Sequence, residues 1–211
     1  MSETEVPVDE AKSILAETAV RIGYDVDWAK MLAHSAWWLE NRSVSGVSLL
    51  IVYLALVKDR DPADLAPKRD PEFGMSCVCP VQAAGMVWTN VGEQANLTSV
   101  GFRGPASQLL MAPTLVYCAD DRGCGVRLRF LDQSVVFWKD GVLIESENLA
   151  NFGWVDDGIK DPTIIEFIKV DDIELDGIHH EYRRLDSLKL PTVRMTGKGF
   201  LDLSDKPAGN R

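Results

Sequence analysis

The sequence lacks the motifs that mark nucleotide binding and the commonest hydrolases. It contains no G-x-x-x-x-G-K-[ST] phosphate loop, no G-x-S-x-G nucleophile elbow and no H-E-x-x-H zinc helix. The paired glycines Gly101 and Gly104, and Gly197 and Gly199, lack the strand-to-helix setting of a dinucleotide-binding loop. These absences argue against nucleotide-dependent and metallopeptidase chemistry, and no cofactor is expected.

Signals for export or for membrane insertion are also missing. Residues 1–10 are acidic, whereas a secretory signal begins with basic residues and continues into an apolar core. The longest apolar run, within residues 47–57, is shorter than the roughly 18 to 20 residues that a bilayer span requires. We therefore expect a cytoplasmic protein with reduced thiols and no membrane partner.

What the chain does contain is typical of a soluble globular protein. Hydrophobic residues make up 46% and charged residues 26% of its 211 positions. The formal net charge is −10, from 22 basic and 32 acidic side chains. Because such a surface repels phosphate backbones, no nucleic-acid partner is expected.

Apolar residues at helical spacing predict three helices in the first part of the chain. The first covers residues 8–21 and stops at Gly23. The second is capped by Asp25 or Asp27 and ends near Asn41, and the third contains the apolar run. Short connections favour antiparallel packing, so residues 1–58 are predicted to form a helical unit.

The rest of the chain favours strands. Residues 77–95 are ambiguous, and a helix over 105–119 is expected to be kinked or divided by Pro113. Alternating patterns predict strands over 125–131, 134–138, 142–145 and 163–170, with Asp140-Gly141 as a hairpin turn. A last helix is predicted over 178–190. The predicted class is α+β: a three-helix unit, then an antiparallel meander with additional helices over 59–211, packed as one compact domain.

The four cysteines and the acidic segments do not predict a metal site. Cys77 and Cys79 are spaced Cys-x-Cys, and Cys118 and Cys124 are spaced Cys-x5-Cys, neither of which suits a zinc knuckle. The stretch from Asp172 to Gly177 resembles the opening of a calcium loop, but Arg183 stands where the bidentate glutamate belongs. Buried free thiols and a solvated acidic face are the favoured interpretations.

Two groups of side chains are nevertheless candidates for a site. Cys77 or Cys79 with His180 and Glu181 forms a catalytic hypothesis, in which an imidazole or carboxylate serves as general base beside a thiol. His34, Trp37 and Trp38 form a ligand-binding hypothesis on the second helix. Since adjacent residues cannot share one helical face, at least one tryptophan must leave the local core.

From the second helix onward the chain resembles the bacterial family called domain of unknown function 3726. The resemblance rests on glycine and alanine spacing around a Trp-Leu pair, at Gly23, Ala29, Ala33, Ala36, Trp38-Leu39 and Gly46-Val47. The later segment LLMAPTLVYCADDRGCGVRLRF is similar as well, and Leu185, Leu188 and Thr192 fit the family's closing helix. The family's Thr-Tyr-Val-Pro stretch is replaced by Val193-Arg194-Met195. The resemblance covers about half the chain and transfers no catalytic residue.

The N-terminal helices are also similar to those of the malate/lactate dehydrogenase family that is not Rossmann-folded. That family carries an Asp-Ser-His-Gly element after its second helix. Residues 42–46, Arg-Ser-Val-Ser-Gly, keep a serine and a glycine but lack the histidine. The resemblance therefore implies related helices without the hydride-transfer site.

These observations favour a non-catalytic protein that binds a small molecule or serves as an accessory subunit. The alternative is a small hydrolase- or lyase-like enzyme that uses the Cys/His pair. The third helix is apolar nearly all round and is predicted to leave only Ser48 and Tyr53 facing water. Trp37 and Trp38 also point in different directions, and both need apolar contacts. Together these features predict a homodimer through the N-terminal helices.

Overall fold

Five helices and eight strands form the part of the chain that the computed structural model describes. This part comprises residues 3–5, 7–42, 44–66, 68, 79–91, 100–102, 108–130, 133–144, 163–173, 181–184 and 194–196. The helices are α1 (Val8–Ile22), α2 (Val26–Glu40), α3 (Gly46–Val57), α4 (Pro80–Val91) and α5 (Ala112–Asp120). The strands are β1 (Glu3–Glu5), β2 (Val100–Phe102), β3 (Cys124–Phe130), β4 (Gln133–Trp138), β5 (Gly141–Ile144), β6 (Thr163–Lys169), β7 (Glu181–Arg184) and β8 (Arg194–Thr196). The predicted α+β class is confirmed.

The α1–α2 hairpin ends and begins where the sequence predicts. Gly23 adopts a left-handed conformation with φ of 115°, which glycine accepts without strain, and it terminates α1. Asp25 caps α2 by accepting a hydrogen bond from the Asp27 N–H at 2.9 Å. Only Gly23, Tyr24 and Asp25 separate the two helices, so α1 and α2 run antiparallel and pack along their length.

A tight corner joins α2 to α3. The Glu40 carboxylate, at the end of α2, accepts a hydrogen bond from the Val47 N–H at 3.0 Å and so caps α3. Burial raises the pKa of Glu40, while the backbone N–H groups of Val47 and Gly46 act in the opposite direction. A Cβ on Gly46 would overlap the Ala36 carbonyl oxygen and lie 2.7 Å from the Leu39 Cβ. Only glycine permits this approach.

One of the two polar residues of α3 is oriented differently from the prediction. The expectation that Tyr53 faces water is wrong: Tyr53 is fully buried, and its hydroxyl hydrogen-bonds with that of Tyr24. A buried phenol needs a polar partner, and a second tyrosine on the α1–α2 connection supplies it. Ser48 is exposed as predicted.

Two prolines mark helix starts. Pro80 is the first residue of α4, a position whose N–H has no helical partner, so proline costs nothing there. Pro113 lies in the first turn of α5, after a separate 3-10 segment over Gln108–Met111. Pro113 therefore divides the predicted helix in two, and α4 resolves the ambiguous segment as helical.

Six strands form one antiparallel sheet in the order β2-β6-β3-β4-β5-β7, and β1 pairs separately with β8. One face of the six-stranded sheet packs on the helices in a continuous core, through residues such as Val126, Phe137 and Ile165. On the opposite face, the Arg127 and Arg129 guanidinium groups pair with the Glu166 carboxylate on β6. The alternation predicted for β3 is thereby confirmed.

Two sequence predictions in the sheet require correction. Trp138 pairs with Gly141, so Lys139 and Asp140 form the hairpin turn rather than Asp140 and Gly141. Gly141 is needed for another reason, because a Cβ there would overlap the Trp138 ring. The helix predicted over 178–190 is wrong at Glu181–Arg184, which form β7 and hydrogen-bond to β5. Pairing satisfies the backbone of β5, which an unpaired edge would leave to water.

Within the described ranges, no helix has the length and apolarity needed to cross a membrane.

Substituting Gly46 tests the close packing of α2 and α3. We expect Gly46→Ala to lower the free energy of unfolding by about 1–3 kcal/mol, because the new methyl group forces backbone apart. Gly85→Ala on α4 is the matched control, since a Cβ there meets nothing within 4 Å. Helix propensity predicts that this control gains up to about 1 kcal/mol. Equal urea midpoints for Gly46→Ala and the parent protein would contradict the packing described here.

Candidate ligand-binding groove

Helices α1, α2 and α5 enclose a groove of about 940 Å³ that opens to solvent. Because α1 and α2 are antiparallel, the start of α1 lies beside the end of α2, and α5 supplies a further wall. The lining residues are Lys12, Ser13, Ala16, Glu17, Val20, Arg21, Val26, Lys30, Met31, Ala33, His34, Ser35, Pro113, Thr114 and Tyr117.

Much of this lining is apolar side chain that water reaches. Val20 is 39% exposed, Val26 50%, Met31 39% and Tyr117 83%. Among the described residues, six large hydrophobic side chains are at least 36% exposed, and these four of the six line the groove. Single exposed apolar residues are ordinary, whereas a contiguous set of this kind makes the groove a candidate binding surface.

The charged residues of the groove have the opposite sign to the protein as a whole. The groove is lined by three cationic side chains and one carboxylate, namely those of Lys12, Arg21 and Lys30 and that of Glu17. In the portion of the chain that is described, no carboxylate oxygen lies within 4 Å of the three cationic groups. The groove therefore combines an apolar surface with an excess of two positive charges, counting His34 as neutral.

His34 is the one sequence-predicted ligand residue that lines the groove. His34 is exposed, yet its pKa lies below the ordinary value of 6.5, first because partial desolvation by neighbouring groups disfavours the imidazolium and second because the Lys12 ammonium repels it. Lys12 and His34 thus share the end of the groove where α1 begins and α2 ends.

Trp37 and Trp38 leave α2 in different directions, as their adjacency requires. Trp37 is 4% exposed and lies under the Lys12 ammonium, which is 5.8 Å from the ring centroid. Trp38 packs on Phe137 of the sheet, with ring centroids 5.7 Å apart, and stacks against the Arg42 guanidinium at 3.2 Å. The structure therefore places Trp37 beneath the Lys12 side chain, outside the groove lining, and Trp38 at the helix–sheet interface.

Arg42 is a buried cation near Trp38, with 4% of its surface exposed. Burial lowers its pKa to about 10, and the Asp140 carboxylate acts in the opposite direction. The guanidinium donates to the Trp38 carbonyl at 3.2 Å and to the Lys139 carbonyl at 2.5 Å. Its role is to join α2 to the β4–β5 turn.

The catalytic hypothesis is only partly covered by the structure. Cys79 is a fully buried free thiol that precedes α4. Burial raises the pKa of Cys79, and hydrogen bonds from the N–H groups of Gln82 and Val81 and from the Tyr24 hydroxyl act in the opposite direction. Such a thiol is poorly suited to attack because the thiolate is the nucleophile.

The other members of the catalytic hypothesis are not brought to Cys79 by anything described. Cys77 and His180 lie outside the described residues, and Glu181 belongs to β7. Asp172 is exposed in a 3-10 segment, and the remaining candidate calcium ligands at 174 and 176 lie outside the described residues. Within the described ranges, no three His, Cys, Asp or Glu side chains are grouped so as to hold a metal ion.

Sequence reasoning missed most of the groove. The signal on α1 and α2 is that Val20, Val26 and Met31 are apolar yet lie off the buried stripe of their helices. Nothing local indicates that Tyr117 of α5 is a neighbour of these residues, since that contact depends on the packing of distant elements.

Comparison with known proteins adds little. No family model matches the chain, and no curated protein matches it. Among solved structures, the chain is similar to malate dehydrogenase from Entamoeba histolytica, with 13% sequence identity and a TM-score of 0.42. The similarity covers 79% of this chain and 50% of that chain, so the chain spans about half the length of that protein. At this TM-score the likeness supports no conclusion about activity.

The lowered pKa of His34 predicts a pH dependence of stability. As the pH falls below 6.5, the His34 imidazole becomes protonated in the unfolded chain but stays neutral in the folded protein. The free energy of unfolding therefore falls. Relative to His34→Gln, the parent protein should therefore lose stability between about pH 7 and about pH 5. Urea unfolding of both proteins measures this difference.

The His34 imidazole resonances provide a direct check, with His34→Gln used to assign them. Their midpoint should lie below 6.5 in the parent protein. It should rise in Lys12→Met, which removes the repelling ammonium. A midpoint that is unchanged in Lys12→Met would contradict the proximity of the two side chains.

Proposed function

We propose that this protein binds a small, predominantly apolar molecule in the groove between α1, α2 and α5, as a binding protein rather than an enzyme. The observation that carries the proposal is the gathering of Val20, Val26, Met31 and Tyr117, all exposed, around one cavity. The volume of about 940 Å³ is within the range of roughly 300 to 1,000 Å³ typical of small-molecule sites. Burying these side chains under a ligand is favourable in proportion to the apolar area removed from water.

The proposal also includes a cytoplasmic location, and it leaves an enzyme as the alternative function. The free thiols of Cys79, Cys118 and Cys124 support a cytoplasmic location, where thiols stay reduced. The enzyme alternative with Cys77 or Cys79 and His180 stays a prediction. The buried state of Cys79 works against its version with that thiol as nucleophile.

Binding of the neutral fluorophore N-phenyl-1-naphthylamine tests the proposed function. We expect saturable binding of one molecule per chain and a loss of at least about tenfold in affinity in Val20→Glu, because a carboxylate in the groove must be desolvated. Val170→Glu is the matched control, since Val170 is 36% exposed, against 39% for Val20, and lies outside the groove. The measurement is a fluorescence titration of each folded variant.

Equal weakening by both valine substitutions, or no binding by the parent protein, would overturn the proposal. If the fluorophore binds elsewhere on the surface, its affinity will be unchanged in Val20→Glu.

We also propose self-association through the N-terminal helices. Its support is the outer side of α3, where Ala55 is exposed and Val47, Ile51, Val52 and Leu56 are half-buried. Contact with a second copy would remove this apolar surface from water, and a two-fold dimer is the commonest arrangement.

The tryptophans do not add to that support. Trp37 is buried within one chain, and Trp38 is covered by Phe137 and Arg42. Neither requires a partner subunit for its burial.

Sedimentation equilibrium at micromolar concentration tests self-association. We expect a mass of two chains in the parent protein. Ile51→Glu should return the mass to one chain, because the substitution places a charge in the apolar contact, whereas Val170→Glu, at an exposed position outside the N-terminal helices, is the control. A mass of one chain in the parent protein at all concentrations means that the proposal is wrong.

A further inference from the structure

We infer that the ligand of the groove is an amphipathic organic anion, with its acidic head at the Lys12–His34 end and its apolar tail along α1 and α2. This inference rests on the proposed function and adds the chemical class of the ligand and its direction of binding.

The first step is the sign of the charge. The chain carries 22 basic and 32 acidic side chains, yet the groove is lined by three cationic residues and one carboxylate. A cationic site on an acidic protein attracts anions locally while the rest of the surface repels them. The apolar lining excludes small inorganic anions as the natural occupant, because they would leave Val20, Val26 and Met31 uncovered.

The second step is the polarity of the groove along its length. Where α1 begins and α2 ends, the lining consists of Lys12 and Ser13 with His34 and Ser35. Towards the α1–α2 turn, the lining includes Val20 and Val26 and one charged side chain, that of Arg21. From residue 12 to residue 20 the helical rise gives about 12 Å. A molecule with one polar end and an apolar remainder of this length matches that gradient.

The third step is the state of Lys12. Lys12 lines this end of the groove, its ammonium stands 5.8 Å from the Trp37 ring centroid, and its charge disfavours protonation of His34. Lys12 is half-buried, and a charge-assisted hydrogen bond from its ammonium to a carboxylate is stronger than a hydrogen bond between neutral groups.

The remaining charges of the groove are consistent with this direction. Lys30 lies four residues from both His34 and Val26 on α2, so its positive charge stands midway along the groove. Glu17 lies five residues after Lys12 and four before Arg21 on α1, so its negative charge also stands midway along the groove. Tyr117, which faces the groove from α5, supplies an aromatic surface.

Displacement of N-phenyl-1-naphthylamine by decanoate and by 1-decanol tests the inference, because the two probes share a tail and differ in charge. We expect decanoate to bind the parent protein at least about tenfold more tightly than 1-decanol, the range of a hydrogen bond to a charged group. Lys12→Met should weaken decanoate about tenfold and leave 1-decanol unchanged.

Arg21→Met is the matched control. It removes the same charge from the same groove, nine residues further along α1 and therefore about 14 Å away. We expect it to weaken decanoate by less than about threefold, the range of a distant, screened charge.

The outcomes separate the two proposals. If the fluorophore binds but decanoate and 1-decanol compete equally, or if neither competes, the anionic class is wrong and the groove remains a binding site. Equal effects of Arg21→Met and Lys12→Met overturn the direction of binding. A synthetic acidic amphipathic helix that binds more tightly than decanoate would make the groove a protein-docking surface and overturn the inference. Failure of the fluorophore to bind at all overturns the proposed function itself.

Discussion

The burial of one guanidinium determines how the helices sit on the sheet. Arg42 is almost entirely removed from solvent, and a buried charge is tolerated only while its hydrogen bonds are kept. Its two acceptors are the carbonyl of Trp38 in α2 and that of Lys139 in the β4–β5 turn. The Nε of Arg42 has no hydrogen-bond partner among the described residues. Because the two acceptors belong to different layers, sliding one layer along the other would break a further hydrogen bond of this buried group.

The groove inherits its shape from this attachment. Trp38 faces the sheet beside Arg42, and its neighbour Trp37 packs under Lys12 of α1, so the position of α2 sets that of α1. The wall formed by α5 is connected to β3 through Arg122 and Gly123, whose φ is 65°. The groove is therefore bounded by elements that the core already holds in place, and the proposed ligand would bind with little further ordering of the protein.

Local signals predict those elements whose ends have local causes. Gly23 and Asp25 bound the α1–α2 turn as expected, because helix caps depend on neighbouring residues. The sequence leaves α4 ambiguous because Pro80 resembles an interruption, although a first-turn proline loses no hydrogen bond. Among the residues that line the groove, His34 is the one that the sequence predicts as a ligand-binding residue. The packing of Tyr117 beside it depends on contacts between distant segments, which no local pattern encodes.

The strand order also has a consequence for the chain while it is being synthesised. β3, β4 and β5 are consecutive hairpins that can form as soon as they emerge, but the second neighbour of β3 is β6, which is made later. β2 cannot fill the gap, since its partner in the sheet is also β6. Until then β3 is an open edge that carries Arg127 and Arg129, and like charges on an edge discourage pairing with other nascent chains. When β6 is made, it pairs with β3 and covers this edge, and the Glu166 carboxylate then lies beside both guanidinium groups.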